Sequence, residues 1–264
     1  MKIIKDKTGT FSRGLWFEDG EIEALAEKHR KNFISPIEQT ESPVMDVDKF
    51  VEIYLRDALK KEVVLDPYAD LQRIEGPNVL GATYFFDDRL EVKIEKSLTE
   101  EAERTDQWGR YNATLMHEGG HCILHPVVFQ RDLNQQVLFH PTDHNKIKCL
   151  RRTIEAPYTV SYNNEWWEWQ ANQFMANLLM PKELFLAHFE MERNAYGIRD
   201  NGELVKDEYL FNAVVGYLAN TFHVSKQAVK IRLYELKQIP NLQQEEFFQN
   251  SGFVSIGDVL MGRA

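Results

Sequence analysis

The sequence contains only two cysteines, Cys122 and Cys149, among 264 residues. Two thiols are too few for a disulfide scaffold and suit a reducing compartment. Long apolar runs are also lacking: no stretch of about 18 apolar residues occurs, and the basic N-terminus leads into no apolar signal segment. We therefore expect a cytoplasmic protein with no membrane partner.

Basic residues are also fewer than acidic residues. The chain has 31 Lys and Arg against 41 Asp and Glu, for a formal net charge of -10. Affinity for nucleic-acid phosphates comes chiefly from basic surface, so this balance argues against nonspecific nucleic-acid binding as the main role. The length and a hydrophobic content of 43% predict a globular protein of one or two domains.

One stretch carries residue types suited to hydrolytic metal chemistry. His117 and His121 are separated by four positions, with Glu118 directly after the first. On a helix the two imidazoles lie one turn apart on one face, as two ligands of a tetrahedral zinc ion require. Glu118 is then placed to act as general base toward a metal-activated water. A chance H-E-x-x-H is expected in about one chain of this length in a hundred, so a third ligand is needed.

The best candidate for that ligand is Glu168. It lies in a stretch that reads as a helix ended or restarted by Pro181, along the edge of an apolar stripe. Its carboxylate would complete a His, His, Glu set and leave one position for water. Glu165 lies three residues earlier and is the alternative. Asn172, one turn beyond Glu168, is placed to fix the tautomer of a ligating imidazole.

These two stretches together carry a family resemblance. A T-x-x-H-E-x-G-H-x-x-x-H helix followed by E-x-x-A-N-x-F-x-x-x-L-L-M-P resembles the ImmA/IrrE family of metallo-endopeptidases, from about Val79 to Pro181 and more loosely to Ile239. The resemblance implies a zinc-dependent, gluzincin-like protease that cleaves a regulatory protein, typically a helix-turn-helix repressor. It also implies one zinc ion per chain, held by His117, His121 and Glu168, with Glu118 as the catalytic glutamate.

The chain departs from the family pattern in three places. Gly119 replaces a larger apolar residue, and Met175 replaces a small one. The separation of His121 and Glu168 is longer than the family implies, which predicts an insertion at about 126–163. We expect these departures to affect substrate fit more than the chemistry, because no ligand is lost.

Further polar residues could support the site. His125 repeats the four-residue spacing, but a helix face drifts by about 40° over each such step, so we expect a supporting or structural role. Tyr158 or Tyr162 could stabilise the oxyanion, and a histidine is not excluded. A second metal site could include Cys149 within the insertion, but we favour ordinary surface residues there. Its other candidate ligands are His140, Asp143 and His144.

The hydrophobic patterns predict an α+β fold. Strands are expected at 79–86 and 89–95, joined as a hairpin that supplies the sheet edge beside the active-site helix. We expect a zincin-like metallopeptidase domain with a small mixed sheet at 1–195, followed at 196–264 by an all-α, helix-turn-helix-like domain and tail. Ser225 is placed to cap the second helix of that unit.

We therefore expect a zinc endopeptidase acting on a protein, most simply a transcriptional repressor. Two alternatives stay open: a DNA-binding regulator whose metal senses or stabilises, and a non-catalytic partner of a toxin or phage system with a structural metal. The second helix of the C-terminal unit is basic, yet the acidic chain favours a packing role over DNA contact. The sequence does not set the oligomeric state.

Overall fold

The computed structural model describes residues 1–11, 13–18, 20–34, 42–105, 107–129, 146–155 and 162–239. The strands in these ranges are β1 Lys2–Ile4, β2 Gly14–Trp16, β3 Glu62–Ala69, β4 Val79–Phe85, β5 Arg89–Glu95 and β6 Lys146–Leu150. The helices are α1 Glu21–Ile34, α2 Val47–Lys49, α3 Arg56–Leu59, α4 Leu71–Ile74, α5 Lys96–Thr105, α6 Gly109–Leu124, α7 Arg151–Glu155, α8 Tyr162–Leu179, α9 Lys182–Ala195, α10 Asn201–Lys206, α11 Glu208–Phe222 and α12 Lys226–Glu235. A π-helical segment, Phe50–Leu55, joins α2 to α3. This mixed architecture confirms the α+β class.

A four-stranded mixed sheet forms one layer, in the order β3-β5-β4-β6. The predicted hairpin is present, because β4 pairs antiparallel with β5, while β3 and β5 are parallel. The expectation that this hairpin supplies the sheet edge is wrong. Both of its strands are interior, and β6 is the edge strand on the side of β4 in the described part of the chain.

Strand β6 comes from the segment that the sequence suggested to be an insertion. Its Lys-Ile-Lys-Cys-Leu pattern alternates, with Ile147 and Cys149 buried and the lysines partly exposed. The expectation that Cys149 is a surface residue is therefore wrong, because period-two alternation turns it inward. Lys146 and Lys148 both bind Glu75, at 3.0 and 2.8 Å. This ion-pair cluster attaches β6 to the chain segment that precedes β4.

Helices α6 and α8 pack against each other, and α6 also packs on the sheet. Gly120 permits this close approach: a Cβ there would lie 3.4 Å from the Cα and carbonyl oxygen of Ala171 on α8. Glu165 has non-helical dihedral angles and kinks the start of α8. Pro181 precedes α9, as the sequence suggested. The packing brings the predicted ligands of both helices into one buried region.

The C-terminal helices pack on the beginning of α6. Asn112 on α6 donates to the carbonyl of His223 at 3.0 Å, in the turn between α11 and α12. Ser225 caps α12 by accepting the Ala228 N–H at 3.1 Å. One apolar core includes side chains from both the sheet region and these helices. The proposed division at residue 195 stays a prediction. In the ranges that the structure describes, no helix has the length and apolarity needed to cross a membrane.

Candidate metal centre

The predicted histidines lie side by side on α6. Both imidazoles are fully buried, and their Nε2 atoms are 2.9 Å apart. The four-residue spacing produces this contact, because residues i and i+4 share a helix face.

Glu168 on α8 completes a triangle with these nitrogens. Its Oε2 lies 3.1 Å from Nε2 of His117, and its Oε1 lies 3.5 Å from Nε2 of His121. Oε1 is buried and has no hydrogen-bond partner among the described residues. Of the two candidate acids on α8, it is thus Glu168 that meets the histidines, while Glu165 lies at the kink.

This donor set fits a zinc ion. Ligand atoms around a tetrahedral zinc stand about 3.3 Å apart when metal–ligand distances are about 2.0 Å. The nitrogen–nitrogen separation of 2.9 Å and the two nitrogen–oxygen separations of 3.1 and 3.5 Å, each to a different oxygen of Glu168, bracket that value. Two imidazoles and one carboxylate are also the donors of many catalytic zinc sites. His117, His121 and Glu168 would hold the metal, and the unpartnered Glu168 oxygen would gain a partner.

Asn172 fixes the orientation of His117. Nδ1 of His117 donates to Oδ1 of Asn172 at 2.9 Å, which directs Nε2 of the imidazole toward Glu168 and His121. The amide nitrogen of Asn172 donates in turn to the Thr153 carbonyl of α7 at 3.2 Å. The predicted supporting position of Asn172 matches this geometry.

A longer chain of hydrogen bonds orients His121. Nδ1 of His121 lies 2.8 Å from Nδ1 of His125, and Nε2 of His125 lies 3.1 Å from Oε1 of Gln170. The Gln170 amide nitrogen donates to the Leu15 carbonyl at 2.9 Å. Because Gln170 presents its oxygen to His125, His125 donates from Nε2 and accepts at Nδ1. His121 then donates from Nδ1, which leaves its Nε2 lone pair for a metal.

Sequence reasoning missed Gln170 and Leu15. Gln170 is two residues from Glu168, about 200° around a straight helix, so spacing placed it away from the ligand set. Trp166 and Trp167 lie one helical turn before Gln170. A glutamine beside two such apolar side chains was the available signal, since a buried amide needs partners.

Burial and neighbouring charge shift the pKa values of the histidines in opposite directions. Burial lowers the pKa of His117, but the hydrogen bond and charge of Glu168 outweigh it and raise the pKa overall. Burial lowers the pKa of His121 well below its ordinary value, and charge on His117 and His125 acts in the same direction. Burial lowers the pKa of His125 to about 3. His121 and His125 are therefore neutral, as the hydrogen-bond chain requires.

Glu118 points to the sheet beside the triangle. Its Oε2 accepts the hydroxyl of Thr83 on β4 at 2.5 Å, and its buried Oε1 has no hydrogen-bond partner among the described residues. Gly81 makes room for this carboxylate, because a Cβ there would lie 2.5 Å from Oε1. Burial raises the pKa of Glu118 to about 8. A carboxylate held by one oxygen and free at the other can accept and release a proton.

Cys149 on β6 also approaches the site. Its sulfur and one ligand atom each of His117 and Glu168 all lie within 4.8 Å of one another, and all three residues are buried. Burial raises the pKa of the Cys149 thiol well above its ordinary value, and the negative charges of Glu118 and Glu168 add to this shift.

The side chains of the remaining candidate residues lie outside the described part of the structure. Tyr158 is in the range 156–161, and only the backbone of Tyr162 is described, as the first residue of α8. The oxyanion role of either tyrosine stays a prediction. His140, Asp143 and His144 also lie outside the described residues.

A protein-family model described as Peptidase_M78, IrrE N-terminal-like domain, matches residues 136–234. The match includes Glu168 and Asn172 and begins after the helix that carries His117 and His121. No curated protein and no solved structure matches the chain. The family match supports an ImmA/IrrE family metallopeptidase and confirms the resemblance inferred from the sequence motifs.

Proposed function

We propose that this chain, whose family match supports an ImmA/IrrE metallopeptidase, is a zinc-dependent endopeptidase that cleaves a regulatory protein. The observation that carries the proposal is the convergence of His117, His121 and Glu168, with Glu118 adjacent. The two histidines belong to α6, which precedes the matched segment, and Glu168 belongs to α8 within it. The family match therefore covers the segment that holds Glu168, and the packing of α6 on α8 brings both histidines to it.

The protein residues have separate tasks in peptide hydrolysis. A bound zinc ion would activate a water molecule and polarise the scissile carbonyl. Glu118 would take the proton from the attacking water on its unpartnered oxygen and pass it to the leaving amine. Thr83 holds the other oxygen and keeps the carboxylate in place. Asn172 and the His125–Gln170 pair keep both imidazoles oriented for ligation.

Strand β6 is the proposed contact for an extended substrate segment. It is the strand beside β4 at the sheet edge among the described residues, and β4 contacts Glu118. A peptide can add to such an edge through backbone hydrogen bonds, which recognise chain direction more than side-chain identity. The family resemblance supports a helix-turn-helix repressor as the protein that supplies this segment.

One observation weakens the DNA-binding alternative. Arg232 on α12, one of the basic residues of the second C-terminal helix, is buried. Its guanidinium donates to the Met180 carbonyl at 3.1 Å and to Asn177 at 2.7 Å. These bonds attach α12 to the end of α8. Arg232 therefore supports a packing role for this unit.

The test compares zinc-loaded wild type with Glu118→Gln in a library of proteome-derived peptides. New peptide termini, read by mass spectrometry, are expected with the wild type and reduced at least a hundredfold with the variant, since the general base is lost. Both proteins should hold equal zinc. Equal cleavage by both proteins, or none by zinc-loaded wild type, contradicts the proposal.

The substrate class is tested with intact proteins. Proteins of a lysate are blocked at their N-termini and incubated with wild type or Glu118→Gln, and the newly formed termini are sequenced. The expected wild-type-specific products derive from a protein with a helix-turn-helix domain. Products confined to other protein classes contradict the repressor assignment and leave the peptidase assignment intact.

A further inference from the structure

Cys149 occupies a position that the His, His, Glu set does not explain. Its sulfur lies within 4.8 Å of a ligand atom of His117 and of Glu168, in fully buried surroundings. Its hydrogen bond to the Leu150 carbonyl is long, at 3.8 Å. A thiol is a weak donor, so this contact holds the side chain only loosely.

The sheet register directs Cys149 toward the site. Cys149 pairs with Gly81 across β6 and β4, and directly paired residues of antiparallel strands project to the same face. Gly81 is the residue whose added Cβ would touch Glu118. The strand pairing therefore places the thiol on the face of the sheet that contacts the metal-binding helix.

A second feature of the cluster points to a cation. Glu168 and Glu118 each have a buried carboxylate oxygen with no hydrogen-bond partner among the described residues. Leaving such an oxygen unsatisfied costs roughly 1–3 kcal/mol, and more when the group is charged. A cation beside Glu168 offsets this cost, and the sulfur of Cys149 is a soft donor within 4.8 Å of a Glu168 ligand atom.

We propose that Cys149 is a fourth protein ligand of the metal, in addition to His117, His121 and Glu168. When the sulfur–metal bond forms, the S–H bond breaks and its proton leaves to solvent, so the thiolate is the ligand. Ligand atoms of one tetrahedral site stand about 3.3–3.6 Å apart, so the thiol has to move inward by about 1 Å, which a side-chain rotation supplies.

Four protein ligands make a closed site, whereas hydrolysis needs one position for water. The described conformation is then a resting form. Before peptide hydrolysis the Cys149 sulfur has to leave the metal, either by rotation of the side chain or by movement of β6. This inference rests on the metal site of the proposed function but does not depend on hydrolysis.

The test uses the full chain loaded with Co²⁺, whose bond to a thiolate gives a charge-transfer absorption in the near ultraviolet. Wild type is compared with Cys149→Ala and with Cys122→Ala. Cys122 is an equally buried cysteine on α6 and serves as the matched control. Cys149→Ser, which keeps the side-chain volume, replaces the alanine variant if that variant does not fold.

We expect one cobalt per chain and the thiolate band in wild type and Cys122→Ala. In the Cys149 variant the band is lost, and metal affinity falls about tenfold or more because a ligand is missing. Bound cobalt without a thiolate band in wild type overturns the proposal and leaves the proposed metallopeptidase standing. A wild type that binds no metal overturns both.

Discussion

The imidazole of His121 is connected to the protein backbone through two other side chains. His125 and Gln170 join it to the Leu15 carbonyl, so a residue of β2, far away in sequence, decides which nitrogen of His121 carries the proton. His117 has a shorter connection through Asn172 to Thr153. Each of the two proposed ligands is thus oriented by a polar residue outside the proposed ligand set.

Gln170→Leu should weaken zinc binding without unfolding the chain. The substitution removes the acceptor of His125, so the tautomer of His121 is no longer fixed, and the zinc dissociation constant should rise roughly 10–100-fold. Titration against a competing chelator measures the change. Gln173→Leu is the control, because Gln173 lies on the same helix and bonds Glu235 instead. Equal zinc affinity of wild type and Gln170→Leu refutes the orienting role.

Gly81→Ala should slow hydrolysis while zinc remains bound. The added Cβ would lie 2.5 Å from Oε1 of Glu118 and 3.0 Å from Cγ2 of Thr114, so the carboxylate has to leave its position. The cleavage rate should fall by at least tenfold, as expected for a displaced general base.

Gly119→Ala is the control for Gly81→Ala. A Cβ at Gly119 meets its nearest atom at 3.7 Å, which is ordinary contact. This variant should gain about 0.5–1 kcal/mol in unfolding free energy, because alanine favours a helix interior. Thermal unfolding and the cleavage rate are measured together. A fully active Gly81→Ala protein would contradict the assigned position of the base.

At the scale of elements, the sequence predicted what depends on local periodicity. The hairpin β4–β5 was predicted from two short strand-like stretches joined by a turn, and the H-E-x-x-H spacing placed two candidate ligands on one face of α6. Strand β6 was not found, because a five-residue strand is specified by its pairing with β4 more than by its own pattern. Because β6 was not predicted, Cys149 was expected in a surface loop, whereas it is buried.

Glu168 was predicted only in part from the local sequence pattern. Helical spacing allowed either Glu165 or Glu168, and the family resemblance favoured Glu168. The kink at Glu165 and the close packing of Gly120 against Ala171 are tertiary features, which local spacing does not encode. Gln170 was missed for the same reason.

Glu75→Gln should loosen β6. Burial raises the pKa of Glu75, but Lys148, Tyr84 and Lys146 outweigh it and lower the pKa from 4.5 to about 2. The side chain of Glu75 is 5% exposed and that of Lys148 is 37% exposed, so solvent screens part of the interaction. We expect the variant to lose about 2 kcal/mol of unfolding free energy at neutral pH.

The contribution of the Glu75 carboxylate to stability depends on pH. A lowered folded-state pKa stabilises the fold above the unfolded value and loses that contribution as the pH falls through the folded value. The stability difference between wild type and Glu75→Gln should therefore be constant above about pH 5 and shrink toward zero near pH 2. Urea unfolding at several pH values measures it. A difference that grows as the pH falls would contradict the ion-pair assignment.

In the whole molecule, the C-terminal helices and α6 share one apolar core. A Cβ at Gly109, the first residue of α6, would lie 2.8 Å from the carbonyl carbon of Val224 and the backbone nitrogen of Ser225. Backbone atoms cannot rotate away as a side chain can. The turn before α12 is thus packed directly on the start of the helix that carries His117 and His121.

Gly109→Ala should therefore destabilise the whole chain by about 1–3 kcal/mol in unfolding free energy, as overpacking does. Gly216→Ala, within α11, should gain about 0.5–1 kcal/mol, because its Cβ meets its nearest atom at 3.8 Å and alanine favours the helix. Thermal unfolding measures the stability of both variants, and hydrogen exchange locates the affected helices. In Gly109→Ala, protection should fall in α6 and α12 together. A loss confined to α12 would show an independent C-terminal unit.

The zinc content of the purified protein tests the proposed set of metal ligands. Wild type should hold about one zinc per chain, as a single His, His, Glu site requires. His117→Ala and Glu168→Ala should hold little, while Glu165→Ala, three residues away on the same helix, should match the wild type. Zinc retained in Glu168→Ala, or no zinc in wild type after zinc is supplied, would contradict the His117, His121 and Glu168 ligand set.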